Sequence, residues 1–154
     1  MIIAKGVGML PTRKIIGVNR MGSATVLGGV YAVDVTGSAT ESTDADSNLT
    51  SIVAVASANM RGWLVVADGV YADNEAGIYT LEGRCQVLVD GTTDITEGLA
   101  LIPVNAAANL ITQGAGSLLV GCAIALEAYT DTPVVLKDVF FNGDCLFKAT
   151  TPAS

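Results

Sequence analysis

The run IYTLEGRCQVLVDGTTDITEG, residues 78–98, carries the reading of the fold. Ile78 to Glu82 and Arg84 to Asp90 are rich in β-branched and apolar side chains and are too short for helices, so they predict a pair of strands. Asp90-Gly91 then supplies two residues that tolerate left-handed backbone, which predicts a hairpin or tight turn.

The same grammar extends outward. Upstream, Val26-Leu27 and Val30 to Val35 flank Gly28-Gly29 and predict a hairpin, and Ile52 to Ala58 and Trp63 to Ala67 predict buried strands. Downstream, Leu99 to Val104, Leu118 to Ala128 and Val134 to Phe141 complete the strand set, with a possible helical turn at Asn105 to Asn109. Gly37 to Asn48 is small and polar, with acids at Glu41, Asp44 and Asp46, and predicts an exposed loop. Apolar residues nowhere hold a 3.6-residue period for three turns, which argues against an α/β fold. The expectation is one all-β domain over residues 23–154, a compact β-barrel or β-sandwich.

Residues 1–22 read differently. They are glycine-spaced and lack a strand or helix period, and Pro11 bars a helix through their middle. Lys5, Arg13, Lys14 and Arg20 give this stretch four cations and no acid, whereas the whole chain carries a net charge of −7. The expectation is an extended basic N-terminal arm, with these four residues as its contacts to an acidic partner surface.

Composition narrows the function. The chain of 154 residues is 51% hydrophobic and only 15% charged, against roughly a quarter charged in ordinary globular domains. Apolar surface left after folding points to burial in a homo-oligomer or larger assembly. Runs such as Leu118 to Leu126 are too short to span a bilayer, so no membrane partner is expected. The N-terminus lacks the apolar segment of a secretory leader, and the expected site of synthesis is the cytoplasm. Cys85, Cys122 and Cys145 are odd in number and far apart, and are expected as buried free thiols.

Histidine is absent altogether, which removes imidazole-based nucleophile systems and most catalytic zinc sites. Gly6-Val7-Gly8 lacks the preceding strand and third glycine of a dinucleotide fingerprint. Asp90, Asp94 and Glu97 match no calcium loop and read as turn and capping acids. One Trp, four Tyr and three Phe are few for an aromatic-lined sugar cleft. An acidic body also disfavours direct nucleic-acid binding. Trp63 reads as a core plug in preference to a rim residue gripping a partner. No enzyme activity and no cofactor are expected.

Val87 to Gly98, followed by Leu101-Ile102-Pro103 and then Ala123-Ile124-Ala125-Leu126-Glu127-Ala128-Tyr129, resembles the small head proteins with which tailed bacteriophages decorate their capsids. The likeness spans roughly residues 50 to 141 and rests on strand and turn order; the N-terminal arm lies outside it. The resemblance implies a capsid cement (decoration) protein, trimeric or otherwise clustered, bound to the major capsid protein on the exterior of the virion. Other virion parts (a head fibre base, a tail or minor capsid protein) and a carbohydrate-binding β module are the alternatives. An enzyme acting through carboxylates or Lys137 stands behind them.

Overall fold

The computed structural model describes residues 12–34, 50–56, 63–113 and 121–144. These form β1 (Arg13–Asn19), β2 (Val30–Val33), β3 (Thr50–Val53), β4 (Leu64–Ala67), β5 (Ala76–Val89), β6 (Ala100–Pro103), β7 (Leu110–Thr112), β8 (Ala123–Ala125) and β9 (Val135–Asn142). The fold is all-β, and no helix long and apolar enough to cross a membrane occurs among the described residues.

The strands pair in the order β1-β3-β2-β4-β5-β7-β6-β8-β9, with further pairings of β5 to β1 and to β9. The ladder therefore closes twice: β1, β3, β2, β4 and β5 form one ring, and β5, β7, β6, β8 and β9 form a second. β5 belongs to both. Its first half pairs antiparallel with β1, from Ala76 opposite Val18 to Glu82 opposite Arg13, and its second half pairs antiparallel with β9, from Glu82 opposite Asn142 to Val89 opposite Val135.

Burial follows the two rings. Tyr31, Val33, Ile52, Val65, Ala67 and Tyr79 pack together inside the first. Val30, Ala32, Leu64 and Val66 point the other way and join Val87, Leu101, Leu110, Val139 and Phe141 in the larger core. All four residues of β2 and of β4 are buried, so these two strands have both faces covered. That explains their unbroken apolar sequences, VYAV and LVVA.

Handing β5 from one ring to the other needs a special residue. The register slips between Arg13 and Lys14, leaving Leu81 as an extra residue on β5, and Gly83 sits two residues on with φ 126°. A Cβ on Gly83 would lie 2.7 Å from Thr12 Oγ1 and 3.0 Å from Thr12 Cα. Glycine meets both demands, of backbone angle and of close approach.

Several expectations are corrected. Ile78–Glu82 and Arg84–Asp90 are one continuous strand bent at Gly83, not two. Arg13–Asn19 of the expected arm is a strand inside the sheet, with Val18 and Asn19 fully buried. Its burial changes from one end to the other, which hid the strand period. The amide of Asn19 donates to the carbonyls of Ser23 (2.7 Å) and Tyr71 (3.0 Å), which satisfies that buried polar group. Residues 1–11 lie outside the described residues.

Val26 and Leu27 are exposed and form no hairpin with β2. Gly28 (φ 73°) instead ties three segments together: its N–H donates to the Ala67 carbonyl and its carbonyl accepts from Leu88 N–H. The Asp90-Gly91 turn exists, with Asp90 accepting from Thr92 N–H at 2.8 Å, but it joins no hairpin because β7 lies between β5 and β6. Asn105–Asn109 is a turn with Ala106 at φ 57°, not a helical turn. β7 was not anticipated. The loop at 37–48 and Cys145 lie outside the described residues.

Two substitutions test this account. Gly83→Ala is expected to cost roughly 2–4 kcal/mol from backbone strain and the clash with Thr12, whereas Gly98→Ala costs about 1–2 kcal/mol. Gly98 has φ 87° but open space around its Cβ position. Equal losses in chemical melts would refute the close-packed handover. The hydroxyl of fully buried Tyr79 has no hydrogen-bond partner among the described residues. Tyr79→Phe is therefore expected to leave stability unchanged or raise it by up to about 1 kcal/mol; a loss of more than that would reveal a bond to this hydroxyl.

Candidate functional site

Of the four basic candidates, Arg13, Lys14 and Arg20 each have a hydrogen-bond partner within the chain. Lys5 lies outside the described residues. Arg13 begins β1, where its Nε donates to Glu82 at 2.7 Å and its Nη2 reaches Asp144 at 3.5 Å. Lys14 pairs with Asp68, which also accepts from the Thr80 hydroxyl at 2.7 Å. Arg20 follows β1 and donates from Nη1 to Asn74 Oδ1 at 2.5 Å, while its buried Nε has no partner among the described residues. Exposed pairs of this kind contribute little to stability, so a partner's carboxylate could exchange into them at small cost.

Trp63 corrects its core assignment. It stands just before β4, whose four residues fill the core, and is itself 39% exposed. Its indole N–H donates to Asp144 Oδ1 at 2.8 Å. Trp63, Asp144, Arg13 and Glu82 thus form a connected surface group, and Trp and Arg are the side chains that most often anchor protein interfaces.

Apolar side chains remain on the surface. Ile16 and Ile78 are directly paired across β1 and β5 and are 60% and 49% exposed. Ile124, 47% exposed, pairs with Phe140, which in turn faces Arg84 across β9 and β5. Arg84 binds Asp138 at 2.7 Å, and this bond, helped by Gln86, holds the Asp138 carboxyl below the usual range.

A cleft of about 280 Å³ opens beside the second half of β5. Lys14, Asp68 and Gln86 give it polar walls, and Leu27, Ala67, Leu136 and Cys85 give it apolar ones. No sequence pattern announced it, because its lining comes from the 27–28 turn and four separate strands or strand ends.

The acids weighed for calcium do not converge. Asp90 accepts from both the hydroxyl and the N–H of Thr92, and these bonds, the hydroxyl's first, lower its pKa. Among the described residues no group of three or more His, Cys, Asp or Glu could hold a metal ion. Lys137 pairs with Glu127 at 3.3 Å and lies 5.0 Å above the Tyr129 ring.

Cys85 and Cys122 are free thiols, the first partly buried and the second buried. Burial pushes the Cys85 thiol up to about 12. Because the thiolate is the reactive form, neither Cys85 nor Cys122 is expected to react with iodoacetamide at pH 8 until denaturant is added. Rapid labelling of Cys85 in the folded protein would refute this burial.

No protein-family model matches the chain, and no curated protein matches it. Among solved structures, the fold is similar to the N base of the head fibre protein gp8.5 of bacteriophage phi29, at a TM-score of 0.54 and 14% identity, over 88% of this chain and 98% of that one.

Proposed function

We propose that this chain is a structural protein of a tailed-phage virion, carried on the outside of the head as a homotrimeric cement protein that binds the major capsid protein. The observation that carries the reading is the fold likeness to the head fibre N base, which runs through nearly all of that module.

The physical properties suit the task. A chain whose strands close into two rings is a stiff body, so contacts on one side hold the other in place. Exposed Ile16, Ile78, Ile124 and Trp63 offer apolar area for association. Repetition over equivalent shell sites turns modest contacts into a durable lattice. The net charge of −7 disfavours contact with packaged DNA.

The same likeness favours a second reading, in which the module is the base of a longer appendage and anchors it without strengthening the shell. Light scattering of the purified protein, followed by co-sedimentation with heads lacking it, tests both. The cement reading expects a trimer that pellets with heads and raises the temperature at which they release DNA. Pelleting without that gain supports the appendage base. A monomer that stays in the supernatant refutes both.

A further inference from the structure

Asn142-Gly143 is the one Asn-Gly pair in the chain, and it closes β9 at the point where β5 changes partners. The pairing of Glu82 with both Arg13 and Asn142 fixes that place. Asn-Gly is the dipeptide most prone to succinimide formation, because glycine puts no side chain in the way when its backbone nitrogen attacks the asparagine side chain. A bond forms between Gly143 N and Asn142 Cγ, and the side-chain amide leaves as ammonia, taking the displaced proton. Water then opens the ring to aspartate or isoaspartate.

The fold requires glycine at this position. A Cβ on residue 143 would lie 1.7 Å from the Leu64 carbonyl oxygen, so any side chain would collide with backbone. The same packing withholds the reaction. The Gly143 N–H, which must be free to lose its proton and attack, donates to the Leu81 carbonyl at 2.8 Å, and the Gly143 carbonyl accepts from Leu64 N–H at 2.9 Å. Asn142 N–H donates to the Cys122 carbonyl at 2.8 Å, and the Asn142 side-chain oxygen accepts from Asp144 N–H at 3.1 Å. Asp144 is itself held from outside, by the Trp63 indole at 2.8 Å and by Arg13 at 3.5 Å. Asn142 and Asp144 are exposed while Gly143 is buried. Water therefore reaches the asparagine side chain, but the attack needs a local opening.

We propose that Asn142 is a conditional modification site. The tie of Gly143 to Leu81 and Leu64 preserves it, and each opening at the end of β9 exposes it to succinimide formation. Modification then makes the opening permanent. Isoaspartate inserts an extra backbone carbon before Gly143 and displaces it from both partners. Either product also sets a new carboxylate directly opposite Glu82, its cross-strand partner, where like charges repel. Because Leu81 is the extra residue of β5, losing this tie loosens the handover between the two rings. The inference stands on the fold alone and does not depend on the virion reading.

Peptide mapping by mass spectrometry tests it, after incubation in mildly alkaline buffer of the native protein and of the same chain in denaturant. Asn142 is expected to convert at least about tenfold more slowly in the folded protein. Asp144→Ala removes the Trp63 and Arg13 anchors, and is expected to raise the folded-state rate several-fold while leaving the rate in denaturant unchanged. Trp63→Phe, which loses one anchor alone, serves if that variant does not fold. Modified protein, separated by its added charge, is expected to lose hydrogen-exchange protection at the Leu64 and Gly143 amides. Equal conversion in folded and denatured protein would overturn the protective tie. Retained protection of those two amides after modification would overturn the permanence of the opening.

Discussion

Both closed circuits of strand pairing among the described residues pass through β5. A strand shared by two rings must exchange its neighbours partway along, and backbone pairing permits that only where the ladder is locally broken. Here the break is the extra residue at Leu81 together with the positive φ of Gly83. The rest follows from it. β1 can end where β9 arrives, the first ring closes around Tyr79, and β2 and β4 are enclosed between that ring's interior and the second core. Closure also removes most of the open sheet edge that an all-β chain must otherwise protect.

The surface balances this interior. Arg13, Lys14, Arg84 and Lys137 each lie against an acid of the same chain, so the described surface offers little free positive charge despite the basic start of the sequence. What it offers instead is scattered apolar area and a Trp–Arg group. The fold itself is similar to that of a head fibre base.

Legibility in the sequence tracked the environment of each strand. β4 could be read almost to the residue, because an unbroken apolar run marks it, and β9 was placed within one residue at each end although Lys137 and Asp138 interrupt its apolar run. β1 could not, since it is exposed at Arg13 and Lys14 and buried on both faces at Val18 and Asn19, and so shows no period. Gly83 looked like a break between two strands, when a lone glycine inside a strand also marks a bulge. Trp63 was misplaced because size alone suggested the core, while the next four residues already filled it.

By itself the sequence determined the all-β class, most of the strand positions, the turn residues and an apolar excess suited to assembly, since these depend on local preference and composition. Only the tertiary structure decided that β5 is shared, that β1 belongs to the sheet, and that Arg13, Lys14, Arg84 and Lys137 pair with acids of the same chain. Those features depend on which distant segments meet, and pairing across up to 131 residues, as between Arg13 and Asp144, leaves no mark in the local pattern of either partner.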